Sequence, residues 1–240
     1  MSLVKVPLLL TATIANHIGT TPPQAPPAPD EVAKEVTVGE RIFTKTVRVA
    51  PRSAQFIVYA GSLCEVAVLI ARTFPAYPLA QHILRLLTWG STSSAERIGI
   101  TPTFAIGCGL AMLGGTLRAE CYRALGRLFT YEITLRRGHQ LVTDGPYSWV
   151  RHPSYTAHVI VSLGTFLCHS SRGSWVRESG VLNTPVGKTM AYAWVAWTTY
   201  LLIRLCSRPP EEDRLLRKQF GEEWDQWAAK VPYRLFPGIY

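Results

Sequence analysis

Apolar residues in this chain fall in blocks rather than in amphipathic stripes. A bilayer core needs roughly 20 consecutive apolar residues per helix, so the length of each block decides what it can do. Val186 to Cys206 carries Trp194, Trp197, Tyr200 and a Leu-Leu-Ile run, with Lys188 and Arg204 only near its ends, where their stems can snorkel. Ile98 to Leu117 holds no charged residue, and Ala54 to Ala71 holds only Glu65. Ser154 to His169 is shorter and includes His158; Val4 to Ile18 is shorter still, with Pro7 in its first turn. That first block could also be a cleaved signal peptide, although Asn16 and His17 stand where small residues should mark the cleavage site. The expectation is an all-α, polytopic transmembrane bundle of about five spans.

Between the blocks, Thr21 to Asp30 is rich in proline and reads as a linker. Leu79 to Trp89 is apolar but broken by His82 and Arg85, the pattern of a short interfacial helix. Two polar segments are too organised for plain loops. Arg136 to Tyr155, RRGHQLVTDGPYSWVRHPSY, joins the third and fourth spans. The other starts at Ser207, where Pro209 and Pro210 can occupy a helix first turn, Glu211, Glu212 and Asp213 favour the helix N-terminus, and Leu215, Leu216 and Phe220 form an apolar face. With five spans both segments fall on one side, as a cap over the bundle. The chain then divides into membrane helices over 1–128 and a region over 129–240 that carries the cap, the two forming one integrated domain.

Charge supports that topology. With five spans, 18 of the 25 Lys and Arg residues lie on the side of the C-terminus. The positive-inside rule then places the cap in the cytoplasm, and the net charge of +9 reflects membrane orientation instead of nucleic-acid binding. Four of the five cysteines lie in proposed spans and Cys121 just beyond one, with no C-x-x-C pair and no metal-ligand spacing; no metal site is expected.

The cap pools His139, Tyr147, Arg151, His152 and Tyr155 with Arg208, Glu211 and Glu212. Both charge signs are present, which suits a cofactor with a zwitterionic amino-acid tail and ribose hydroxyls. On the residues alone, Arg151-His152-Pro153 could equally be a helix-start turn with its cations among lipid headgroups. Glu211 and Glu212 could equally be favourable charges at a helix N-terminus. Glu65 is the only carboxylate well inside a span, a position that invites a functional reading without assigning one. Gly107, Gly109, Gly114 and Gly115 suggest close helix packing.

The pattern H-x-L-V-T-x-G-P-Y-x-x-x-R-H-P-S-Y, followed by R-x-x-E-E, F-G-x-E-W and a closing V-P-Y-R-L-F-P, resembles the isoprenylcysteine carboxyl methyltransferase family from Phe129 to Pro237. The resemblance implies a membrane enzyme of the endoplasmic reticulum that methylates the C-terminal carboxylate of prenylated cysteine from S-adenosylmethionine. It carries cofactor roles onto His139, Gln140, Leu141, Val142, Tyr147, His152, Pro153, Ser154, Tyr155 and Glu212, and the substrate-carboxylate role onto Arg208. The implied partners are prenylated protein C-termini and membrane lipid. Two departures stand out: the proline pair after Arg208, and Glu132 where better-known members have glutamine. Related phospholipid methyltransferases use a G-x-G for the cofactor, which would fall on Gly107 and Gly109. Three other readings compete: a small-lipid methyltransferase, whose amine acceptor needs no arginine; an NADPH-dependent sterol reductase with a similar R-H-P-x-Y turn; and a non-enzymatic lipid-binding scaffold.

Overall fold

The computed structural model describes residues 3–25, 27, 43, 50–89, 92–132, 134 and 138–239. Part of the proline-rich linker, residues 26 and 28–30, lies outside the described residues, as do Arg136 and Arg137. Among those described, the chain is all-helical and contains no β-strand. The principal helices are α1 (Lys5–Thr20), α2 (Ala50–Thr73), α3 (Pro78–Leu87), α4 (Pro102–Leu125), α5 (Pro153–Ser170), α6 (Pro185–Cys206), α7 (Pro209–Phe220) and α8 (Glu222–Lys230).

Each apolar block becomes a helix; α2 begins four residues before its block, at Ala50, and the third block shifts at both ends. The third block spans Ile98 to Leu117 in the sequence, whereas α4 starts at Pro102 and runs to Leu125. Thr101 sets that start: its hydroxyl accepts from the Phe104 amide at 3.3 Å, and Pro102, which has no amide hydrogen, occupies the first helical position. Hydropathy is less even than the blocks suggest. Only one helix, over Arg52–Thr73, is long and apolar enough by length and composition to cross a bilayer among the described residues. Helix α1, with 16 residues, is short for a span, and α4, α5 and α6 mix Gly, Thr, Tyr, Trp, His or charged residues into their runs, which lowers their hydropathy.

Helices α4 and α5 form the centre of the bundle. Their backbones touch because the crossing residues are small. A Cβ placed on Gly164 would lie 2.3 Å from the Ala111 nitrogen, and one on Gly114 would lie 2.4 Å from the Val161 nitrogen. Helix α1 packs across this pair, contributing Leu9 and Ala12 to a core with Phe104, Cys108, Ala111 and Cys168. Gly109, by contrast, faces open space, and neither Gly107 nor Gly109 lines the cavity described below.

At the bundle end opposite the cap, Lys5 and Glu65 make a fully buried ion pair at 2.5 Å. Lys5 also donates to the Gly173 carbonyl at 2.7 Å, and Glu65 accepts from the Trp175 amide at 2.8 Å. Glu65, the carboxylate inside the Ala54–Ala71 apolar block, thus ties α1 and α2 to the segment that follows α5. A buried pair of this kind holds register more than it adds stability, since desolvation offsets most of the attraction.

Candidate functional site

The cap is built on the Arg151-His152-Pro153 turn. A residue before proline is steered away from helical backbone, and His152 accordingly sits at φ −126°, ψ 59° as the N-cap of α5, with Pro153 opening the helix. The turn would leave two amides without partners. The C-terminal segment supplies them: the Arg151 amide donates to the Tyr233 carbonyl at 2.9 Å and the His152 amide to the Arg234 carbonyl at 2.8 Å. Thr156 adds a hydroxyl bond to the Leu235 carbonyl at 2.5 Å. The closing V-P-Y-R-L-F motif therefore acts as a clamp on the turn, a role its sequence alone did not suggest.

The second wall comes from α7. The proline pair is no obstacle: Arg208 is the N-cap, Pro209 and Pro210 take the first turn, and the Glu211 and Glu212 amides both donate to the Arg208 carbonyl, at 3.0 and 3.1 Å. The helix stops at Phe220 because Gly221 has φ 55°, and α8 sets off in a new direction. What reads as one C-terminal helix is two. Trp224 and Trp227 of α8 then pack with Cys121 and Tyr147, and the Trp227 indole donates to the Tyr147 carbonyl at 3.3 Å.

Charge converges where these walls meet. The buried His152 imidazole lies between two carboxylates, with Nε2 at 2.9 Å from Asp213 Oδ1 and Nδ1 at 3.4 Å from Glu212 Oε2. Burial alone would lower the pKa of the ring, but the bonds to Asp213 and Glu212 outweigh it and hold the ring protonated up to about 9. Burial likewise opposes ionisation of Glu212, yet His152, Arg208 and Tyr155 together pull it down to about 2. Tyr155 donates to Glu212 Oε2 at 2.6 Å and stacks on His152 with ring centroids 5.6 Å apart. Arg208 stands over the Tyr155 ring at 5.8 Å and over Phe43 at 5.1 Å. Asp213 also faces Arg151 at 3.3 Å and Arg234 at 3.1 Å.

One continuous cavity runs from this cluster into the bundle. Of the predicted site residues, His139, Gln140, Leu141, Val142 and Tyr147 line it from the loop, His152, Ser154 and Tyr155 from α5, and Arg208 and Glu212 from the start of α7. Pro153 does not line it; it is buried in the first turn of α5. The inner part is walled by polar and aromatic groups including Asn16, Gln55, Thr165, Trp194 and Thr198. His139 Nδ1 is buried with no hydrogen-bond partner among the described residues, and burial lowers the pKa of the ring despite the nearby Glu212. A neutral, unpartnered imidazole nitrogen on a cavity wall is a fit for a ligand hydroxyl or amine. Burial pushes the Tyr147 phenol well above its usual range; Cys121 and Glu212 add to the shift and Arg118 opposes it.

Two residues absent from the predicted set complete the site. Asp213 was legible only as a third helix-start acid, yet it anchors His152. Arg118, 3% exposed, also lines the cavity. It donates to the Ser154 carbonyl at 2.7 Å, to the Ser154 hydroxyl and to Tyr122 at 3.0 Å, and it lies against the Tyr122, Phe129 and Tyr131 rings at 5.1–5.5 Å. In the sequence it looked like an arginine at the end of an apolar run. Glu132 is buried on the same wall.

Comparison with known proteins bears out the resemblance drawn from the motifs. Residues 105–176 match the model of the isoprenylcysteine carboxyl methyltransferase family. A protein named Protein-S-isoprenylcysteine O-methyltransferase B from Arabidopsis thaliana is 33% identical over 128 residues, 52% of this chain and 55% of that protein. Protein-S-isoprenylcysteine O-methyltransferase of Schizosaccharomyces pombe is 31% identical over 126 residues, 52% of this chain and 45% of its own length. A Delta(14)-sterol reductase of Mus musculus is 29% identical over 103 residues, 43% of this chain and 20% of the reductase. The chain thus spans about half the length of the methyltransferases it matches.

Proposed function

We propose that the likeness to isoprenylcysteine carboxyl methyltransferases extends to activity, and that this chain methylates the C-terminal carboxylate of a prenylated cysteine with S-adenosylmethionine as donor. The observation that carries the reading is the one continuous cavity lined by both Glu212, fixed by Tyr155 and His152, and Arg208 at the start of α7. When bound, the donor supplies a sulfonium-activated methyl group, so the carboxylate acceptor needs no general base. The protein has to supply alignment and keep water out.

Arg208 is the group for the acceptor carboxylate, because its planar fork orients two oxygens at once. Glu212 takes hydrogen bonds from the donor's ammonium or ribose, and His139 offers its buried Nδ1. Gln140, Leu141, Val142, Tyr147 and Ser154 form the remaining wall. His152 has both ring nitrogens turned to carboxylates, so it serves by holding Glu212 in place. Pro153 contributes by opening α5 at the turn.

We read α1, α2, α4, α5 and α6 as five membrane spans of one integrated unit over 1–128 and 129–240, with the cap on the cytosolic face of the endoplasmic reticulum and the prenyl chain entering from lipid. Exposure supports this: Phe56, Leu63, Val186 and Tyr192 are each at least 67% exposed, and α6 buries only Gly187 and Leu205 among its 22 residues. Apolar faces of that extent suit lipid contact.

The sterol reductase similarity gives a second reading with NADPH as cofactor. Thermal stabilisation separates the two, since only a ligand bound by the native state raises its melting point. We expect S-adenosylhomocysteine to stabilise the purified protein, NADPH to leave it unchanged, and labelled methyl to reach a farnesylcysteine analogue. Stabilisation by NADPH alone would reverse the choice.

A further inference from the structure

The charged groups gathered around the turn are balanced by the protein itself. His152 faces Glu212 and Asp213, while Arg151 and Arg234 face Asp213. Arg208 acts electrostatically on Glu212. Arg118 differs. Among the described residues it forms no ion pair; the nearest acid on its own helix, Glu120, bonds Arg123. Its partners are a serine carbonyl, two hydroxyls and three aromatic rings. These solvate a guanidinium, but none of them carries a negative charge that would offset its removal from water. A buried cation on a cavity wall, left in that state, is set up to receive an anion.

The placement of Glu212 on the wall of the same cavity narrows the anion. Arg118 is tied to Ser154, and Glu212 is tied to Tyr155. Ser154 and Tyr155 are consecutive residues in the first turn of α5, so one short stretch of backbone anchors a cation and an anion on the wall of the same cavity. The Tyr147 phenol, on the same wall, responds to both charges, with opposite sign. An α-amino acid presents the complementary pair, ammonium and carboxylate, on a single carbon.

We propose that Arg118 is the carboxylate subsite for the amino-acid tail of the methyl donor, with Glu212 taking its ammonium. The proposal rests on the methyltransferase reading and adds to it a residue outside the His139-to-Tyr155 motif and outside α7. It also gives the two arginines different ligands, Arg118 serving the donor and Arg208 the acceptor. The fork of Arg118 is already oriented by Ser154 and Tyr122, so a bound carboxylate would meet a preformed group.

The test compares S-adenosylhomocysteine with its decarboxylated analogue, which lacks only the carboxylate, by calorimetric titration of the full chain in detergent. Wild type should bind the carboxylate form at least about tenfold more tightly, the scale of one charge-assisted bond. In Arg118→Met that preference should fall to within about twofold, because the analogue binds as before and only the carboxylate form weakens. Methionine is chosen because an unbranched apolar side chain suits the ring cage. Arg118→Lys, which keeps the charge and loses the fork, should fall between the two, and Arg208→Met should keep the wild-type preference.

A wild type that does not distinguish the two ligands would overturn the proposal without any variant. So would a full preference retained in both Arg118 variants, or a preference lost in Arg208→Met instead, which would hand the donor to Arg208. If Arg118→Met fails to fold, the wild-type comparison and Arg118→Lys decide the matter. Failure of wild type to bind either ligand refutes the methyltransferase reading itself and is a distinct outcome.

Discussion

Replacing His152 with glutamine removes the cation between Glu212 and Asp213 while leaving an amide of similar reach. The ring is held protonated up to about 9, against an ordinary value of 6.5. A group whose pKa is raised in the fold contributes stability in full below its unfolded value and loses it as pH rises through its folded value. The His152 contribution is therefore complete below about pH 6.5 and gone above about pH 9. The difference corresponds to about 3 kcal/mol at most. The low value of Glu212 describes the same pairing from the other side, so the two are not added.

For a protein of this size, about 3 kcal/mol moves the melting point by roughly 6–12 °C. The assay is thermal melting in detergent across that pH interval for wild type and His152→Gln. Other groups titrate in both proteins, so the difference between the curves isolates His152. Wild type should lead below pH 6.5 and the gap should close as pH approaches 9. Parallel curves, with a constant gap or none, would refute a protonated His152.

Further outcomes follow from the same geometry. Arg208→Lys should lower methyl-acceptor turnover about tenfold or more, equivalent to about 1.4 kcal/mol, with S-adenosylhomocysteine binding retained; near-normal turnover would return this arginine to an ordinary juxtamembrane cation. Gly164→Val should destabilise the bundle by about 1–3 kcal/mol, since its Cβ meets backbone of α4, whereas Gly109→Ala, facing open space, should melt at or above wild type. Equal melting points for the two would remove close packing as the reason for the glycines. A glycosylation tag at the C-terminus should stay unmodified, as a cytosolic cap requires, and its modification would invert the topology.

Much of the helical framework was legible because apolar runs are a property of single segments. Helix α6 lies within a residue of the block read from Val186 to Cys206, and the helix start at Pro209 followed from proline chemistry. Other features depend on partners far away in the chain. Nothing in E-E-D separates Glu212, which faces the cavity, from Asp213, which faces His152 and two arginines; rotation by one residue around α7 decides it. Arg118 could not be told from a snorkelling arginine until α5 packed on α4 and brought Ser154 to it. The break at Gly221 needed a backbone angle that a helical pattern of E-E-W-D-Q-W conceals.

The clamp on the Arg151-His152 turn has a consequence in time. Thr156 and its partner Leu235 are separated by 79 positions, with the rest of the α5–α6 hairpin and both cap helices between them. At roughly 5–20 residues per second of synthesis, the turn waits several seconds before its partner segment has even been made. During that interval the helices can form while the Arg151 and His152 amides remain open to competitors. A product halted before Tyr233 would therefore hold its helices and lack its cap, and a folding assistant guarding the unfinished protein would have this turn as its natural target.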